Sequence, residues 1–185
     1  MGLHSLLITN TQGMLLLARY FDDPNDARGS VGGGGAFSQR LPISAGEGMI
    51  RDRAAAMRLW EREVLLQTRH MWDQAALDGA EHVARAKGDV FIVFRAIHGV
   101  LVFLCGFDEF DELTLAETLK SFVDVLAALC AESGKHAKAF EPAILTGDVY
   151  GKVFIAIDEM MGGGILEATD QESVLCGSKL KPLVA

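Results

Sequence analysis

The chain has 185 residues, of which 50% are hydrophobic and 23% charged, and its formal net charge is -8. Those proportions describe a globular protein with room for one good core, and one domain is the default expectation. The acidic balance disfavours nucleic acid and anionic lipid as direct ligands and suits a basic partner surface, and no apolar run approaches the ~18 residues that span a bilayer.

A short apolar strand is expected over residues 2–9 (GLHSLLIT), a turn over 10–13 (NTQG) and a second strand over 14–21 (MLLLARYF). Two such runs joined by a Gly-containing loop predict a β-hairpin, which the DDPN at 22–25 ends sharply. Residues 24–48 are rich in glycine, contain Pro24 and Pro42 and hold few large apolar side chains. They predict a long flexible surface insertion. The glycines at 29–35 lack the preceding strand, the following helix and the Lys-Ser/Thr pair of a phosphate-binding loop.

Helix is expected over about 49–76, where Ile50, Ala54, Met57, Val64, Leu65 and Met71 recur near helical spacing with Trp60 and Trp72 among them. Arg51, Arg53, Arg58 and Arg62 share the outer face with Glu61 and Glu63. Alternating signs read as a solvated face with local ion pairs in preference to a dock for an acidic partner. Asp78-Gly79 ends the helix. A weakly alternating strand over 81–86 precedes two strong strands at 90–96 (VFIVFRA) and 100–107 (VLVFLCGF), joined at His98-Gly99. Five strands in hairpins make a largely antiparallel sheet and an α+β fold.

The clearest helix covers residues 107–132, where Leu115, Leu119, Phe122, Leu126 and Leu129 recur at steps of four and three, and Ala116, Val123 and Cys130 widen the stripe. Asp108 and Asp111 are placed to cap its start and Gly134 to stop it. It reads as the helix that covers the sheet. A polar loop with Pro142 is expected over 133–143. Residues 144–161 are ambiguous: VFIAI has strand propensity, yet Val149, Val153, Ile157 and Met160 also form a helical stripe. Three glycines at 162–164 end that segment, and the tail from 165 holds a short helical possibility near 171–175.

No constellation for catalysis emerges. His4, His70, His82, His98 and His136 never fall at metal-ligand spacing, and there is no HExxH or CxxC. Ser5 and Ser121 lack nucleophile-elbow context. Asp108, Glu109, Asp111 and Glu112 lack the glycine and terminal glutamate of a calcium loop. Asp158 and Glu159 are adjacent and point apart. Cys105, Cys130 and Cys176 read as buried free thiols of a reducing compartment. The first residues lack the basic region and cleavage site of a signal peptide. The expectation is a cytosolic, non-enzymatic domain without cofactor or metal that works by binding other proteins.

Three stretches resemble the small subunits of vesicle-coat adaptors. LLITNTQGMLLLARYFDD at 6–23 is similar to their opening, a strand, an N-x-x-G turn and a strand ending in A-[KR]-[WY]-[YF]. CGFDEFDELTLAETLKSFVDVLAAL at 105–129 resembles their acidic turn and long amphipathic helix. KVFIAIDEMMGGGILEATD at 152–170 resembles the K-V-[YF]-x-x-x-D-E segment, and Gly163-Gly164-Ile165 with Thr169-Asp170 is similar to coatomer zeta, although a divergent TSET/TPLATE-type small subunit also fits. The resemblance implies a longin-like (SNARE-like) α+β domain over 1–185, a five-stranded antiparallel sheet flanked by helices, with the glycine-rich insertion at about 24–48. It implies that 149–161 is helical. It further implies a non-enzymatic role in vesicle-mediated protein transport, packing on a large helical-solenoid coat subunit like gamma-COP in a hetero-oligomer. Localisation would be cytoplasmic, peripheral on Golgi, endosomal or plasma-membrane coats, with membrane association only through the complex. The alternatives are a clathrin-adaptor sigma subunit that reads dileucine signals, and a longin module regulating a small GTPase or SNARE.

Trp60, Trp72, Met160 and Met161 are candidates for the partner interface, against the alternative that each is ordinary core. Leu101 and Val123 align with positions that line the dileucine pocket of sigma subunits. Leu16 stands where those subunits carry an arginine, with Leu15 and Leu17 beside it, so no positive charge is expected near such a pocket and no measurable binding of an acidic dileucine peptide.

Overall fold

A computed structural model describes residues 2–21, 53–86, 90–107, 111–132 and 139–178. The chain opens with β1 (Gly2–Asn10) and β2 (Leu15–Tyr20). In the turn between them the Asn10 side-chain carbonyl accepts the amides of Gln12 and Met14 at 3.0 and 2.8 Å, a local closure that asparagine makes readily. Gly13 holds φ +89, and a Cβ there would stand 3.3 Å from the Trp72 ring. The insertion at 24–48 lies outside the described residues.

Three more strands, β3 (His82–Ala86), β4 (Val90–Ile97) and β5 (Val100–Phe107), complete a sheet of order β2-β1-β5-β4-β3 with every pairing antiparallel. The β4–β5 turn puts both His98 (φ 45) and Gly99 (φ 85) in the left-handed region, the geometry of a two-residue hairpin whose twist matches its strands. Period two divides the sheet into two faces. Leu6, Ile8, Val93, Val102 and Leu104 look one way; Leu7, Ile92, Phe94, Leu101, Phe103 and Cys105 look the other. Both faces are covered, so the central strands are unbroken apolar runs instead of alternating ones.

Helices α1 (Arg53–Thr68) and α2 (Trp72–Asp78) cover the second face, with a 3-10 turn (Arg69–Met71) between them. One helix was expected here. At the break the Thr68 hydroxyl bonds the Val64 carbonyl at 2.8 Å and accepts the Trp72 indole N–H at 3.0 Å, which fixes the change of direction. Gly79, at φ 60, ends α2 in a left-handed cap.

The first face is covered by α3 (Glu112–Glu132) and α5 (Gly147–Met161). Strand β5 extends to Phe107, so α3 starts at Glu112 and not at 107. Asp111 caps it through the Thr114 amide at 2.8 Å, and these hydrogen bonds hold the Asp111 carboxyl below its ordinary range. Asp108 and Gly134 lie outside the described residues. Residues 149–161 are helical, as the resemblance implies: Val149, Val153, Ala156, Ile157, Met160 and Met161 are all buried. The expected loop at 133–143 needs correcting, because Phe140–Ile144 forms a short helix, α4. Pro142 falls in its first turn, where a missing N–H costs nothing. Helix α6 (Gln171–Ser178) runs beyond the expected 171–175. Cys105 and Cys130 are buried, and burial pushes their thiols up to about 12 and 11. Cys176 is exposed, against expectation.

Candidate docking surfaces

All six side chains singled out for partner contact are buried in this chain: Trp60, Met160 and Met161 at 0% exposure, Leu101 and Val123 at 1%, Trp72 at 5%. Trp60, Trp72 and Leu101 belong to the core beneath α1 and α2, whereas Val123, Met160 and Met161 belong to the core beneath α3 and α5. Leu101 and Val123 therefore stand on opposite faces of the sheet and do not line one depression. Both indoles are satisfied internally, Trp60 by the Ser5 hydroxyl at 2.9 Å and Trp72 by Thr68. Residue type marked these positions as large and apolar, but could not say that helices already cover them.

The apolar side chains that do reach solvent are different ones. Leu113 in the first turn of α3 is 67% exposed, Leu145 before α5 is 58% and Ile165 after it is 49%. On the other side Leu77 in α2 is 83% exposed and Leu66 in α1 is 62%. Edge strand β2 is tied to α5 by an ion pair between Arg19 and Asp158 at 2.7 Å. That pair is open to water and is worth about 1 kcal/mol or less.

One concavity is lined by polar and apolar groups together. A cleft of about 420 Å³ lies between the first hairpin and α1, with Leu7, Thr9, Gly13 and Leu15 on one side and Arg58, Glu61, Arg62, Leu65, Leu66 and Arg69 on the other, and with Trp72 also lining it. The arginines were expected to sit among local ion pairs. Instead, among the described residues neither Arg58 nor Arg62 has an ion-pair partner, while Glu61 accepts the Tyr20 hydroxyl at 2.7 Å and Glu63 accepts the Gln67 amide at 2.9 Å. Burial and that contact with Glu61 raise the Tyr20 phenol far above its ordinary value. This cleft is not the depression expected at Leu101 and Val123, neither of which lines it. The signal available in sequence was the spacing of 58, 62, 65, 66 and 69 along one helix stripe.

Among the described residues no group of three or more His, Cys, Asp or Glu is placed to hold a metal ion, and no helix is long and apolar enough to cross a membrane. No family model matches the chain. It is 23% identical over 179 residues to the TSET complex member tstD of Dictyostelium discoideum, a match covering 97% of this chain and 93% of that protein. It is 31% identical over 85 residues to coatomer subunit zeta-3 of Oryza sativa subsp. japonica, across 46% of this chain and 44% of that one. A chain in a homology model of the full-length AP-3 complex, in a stretched open conformation, superposes with a TM-score of 0.54 at 13% identity, over 95% of this chain and 90% of its own. The fold is longin-like. Fold and sequence likeness together make the chain similar to small subunits of vesicle-coat adaptors.

Proposed function

We propose that the chain is the non-enzymatic small subunit of a vesicle coat of the TSET or coatomer-zeta type, acting in protein transport by packing on a large helical-solenoid subunit comparable to gamma-COP. The observation that carries this is the likeness to the TSET complex member, which runs nearly end to end in both chains. Two features weigh against a sigma subunit that reads dileucine signals. Leu16, at the position where sigma subunits carry an arginine, is an apolar side chain buried at 8% exposure in the core under α3 and α5, and Leu101 and Val123 are separated by the sheet. On this reading the chain is one domain, holds no cofactor, works in the cytoplasm and reaches membranes only through its complex. Purifying the tagged chain from its own cells and identifying stable partners tests it. Large coat subunits in equal amounts are expected. Recovery of a small GTPase or of SNAREs in their place would overturn it.

A further inference from the structure

Strand β3 ends the sheet on one side, and among the described residues nothing pairs with its far edge. Which of its backbone groups face that edge follows from the alternation of an antiparallel ladder. The two-residue turn at His98-Gly99 makes Ile97–Val100 a bonded pair, so Arg95, Val93 and Phe91 also bond toward β5. Phe94, Ile92 and Val90 then bond toward β3, at His82, Ala84 and Ala86. Carried the other way across the sheet, the same alternation bonds His4 to Phe21, and the Phe21 amide does donate to the His4 carbonyl at 3.1 Å. Val83 and Arg85 are left with their amides and carbonyls turned outward, as is Glu81 just before the strand.

The side chains of the same three residues stand on the first face. Glu81 pairs with Arg95 at 3.0 Å, Arg85 stacks over Phe91 at 4.4 Å and reaches Glu112 of α3 at 3.3 Å, and Val83 between them is 42% exposed. An acid, an exposed valine and a base at steps of two are self-complementary. When the strand meets a second copy antiparallel about Val83, valine faces valine and each Glu81 faces the other copy's Arg85. Backbone bonds form at those same positions. Signs then alternate along Arg95 and Glu81 of one copy and Arg85 and Glu112 of the other. On the second face His82 meets the small side chain of Ala84. A register centred on Ala84 would set Val83 against Arg85, and one centred on Arg85 would set two guanidiniums face to face. Opposite charges across a strand pair stabilise it and like charges destabilise it, which selects Val83 as the centre.

We infer that β3 docks β3 of a second copy of this chain, in a two-fold antiparallel pairing centred on Val83 that runs the two five-stranded sheets into one. A ladder over residues 81–85 with one valine pair is smaller than the interfaces of stable complexes, so the dimer is a weak one. The pairing rests on this strand alone and does not depend on which coat, if any, the chain serves. On the coat reading above it joins neighbouring complexes, whose shared membrane surface raises the effective concentration and lets a weak contact hold.

Sedimentation velocity of the full chain over a concentration series should show a monomer–dimer equilibrium with Kd on the order of tens of micromolar. Val83→Pro should weaken it at least about tenfold and leave the unfolding midpoint near that of wild type, because an outward amide bonds nothing within the fold. Glu81→Arg and Arg85→Glu should each weaken it about tenfold, since each sets like charges opposite one another at two places. The two together should restore it to within about threefold of wild type. Melts followed by circular dichroism check that every variant folds. Cys176 is exposed, so cross-linking starts from Cys176→Ser. There Val83→Cys should give a disulfide-linked dimer under mild oxidant, because a bonded pair holds its Cα atoms about 5.5 Å apart, and Arg85→Cys should not. A chain that stays monomeric up to about millimolar concentration would overturn the proposal. So would self-association that ignores Val83→Pro, or charge reversals that the double variant does not rescue. A monomeric chain whose Val83→Pro variant no longer co-purifies a large subunit would overturn it too, and would assign the edge to that subunit.

Discussion

The indole N–H of Trp60 donates to the hydroxyl of Ser5 at 2.9 Å, and both side chains are fully buried. This bond links α1 to β1 on the sheet face that also carries the cleft. The Trp60 ring meets the His4 ring edge-on at 4.5 Å, and His4 Nδ1 lies 3.0 Å from the same hydroxyl. The seating of α1, and so the position of Arg58 and Arg62, depends on this small polar cluster inside an otherwise apolar core.

Ser5→Ala should therefore cost more than the loss of one small group suggests. It strands a buried indole N–H, which costs about 1–3 kcal/mol. In a domain of this size that lowers Tm by roughly 2–4 °C per kcal/mol. Trp60→Phe removes the donor and leaves a void, and Ser5→Ala added to it should cost much less than Ser5→Ala alone. Urea unfolding of the four proteins in this cycle gives the coupling. Strictly additive costs would mean that the bond contributes nothing.

Much of the fold was legible because local chemistry and burial agree. NTQG and His98-Gly99 place two turns, and β4 and β5 read as strands because both their faces are covered. Helix α3 announces itself through Leu115, Leu119, Phe122, Leu126 and Leu129. Helix α5 was not legible from periodicity, since VFIAI satisfies a strand as well as a stripe; only the resemblance to coat subunits decided it. Helix α4 escaped because five residues show no period and Pro142 suggests a break. The docking surface was the least legible part. Trp60 and Met160 have the side chains an interface uses, but composition does not say which surfaces helices already cover. The cleft joins residues 7–15 to residues 58–72, a contact that no local pattern encodes.

The glycines after α5 have a steric reason. Gly164 holds φ +79, and a Cβ there would come within 3.0 Å of Phe21 Cβ and 3.1 Å of the Leu3 carbonyl oxygen. Gly164→Ala combines left-handed strain with a clash against strand backbone, so a loss of about 1–3 kcal/mol is expected. Gly163→Ala, also at positive φ (+59) but with nothing within 4 Å, should cost less. Paired thermal melts test the order of the two, and equal losses would remove the packing argument.

Burial pushes the His4 imidazole down to about 3 from an ordinary value near 6.5. The folded chain keeps this ring neutral, while the unfolded chain protonates it below 6.5. Its contribution is thus fully present above 6.5 and is lost as pH falls from 6.5 toward 3, by at most about 1.4 kcal/mol per pH unit. His4→Phe keeps a ring against Trp60 and Phe107 but cannot titrate. The urea midpoint of wild type should drop between pH 7.5 and 5.0 by more than that of the variant. Parallel pH profiles for the two proteins would show that His4 is not the group responsible.

An isolated copy of the chain carries apolar side chains in contact with water. Leu113, Leu145 and Ile165 are each about half exposed or more, and Leu77 and Leu66 are mostly exposed. Burying one such side chain fully is worth about 1.5–3 kcal/mol, so a few meeting their counterparts offset much of the cost of association. Among the described residues β2 and β3 are the outer strands of the sheet, and an outer strand invites pairing with another copy. The isolated chain should accordingly self-associate at about tens of micromolar, and co-expression with a large coat subunit of the proposed kind should yield a discrete heterodimer. Sedimentation velocity over a concentration series distinguishes the two states. Leu113→Gln with Leu145→Gln should shift the isolated chain toward monomer while leaving its unfolding midpoint within about 0.5 kcal/mol, since neither side chain is in the core. If that variant also stops co-purifying the large subunit, these leucines lie in the subunit interface. A wild-type chain that stays monomeric across the series would mean that its exposed apolar side chains are scattered surface residues and not a covered face.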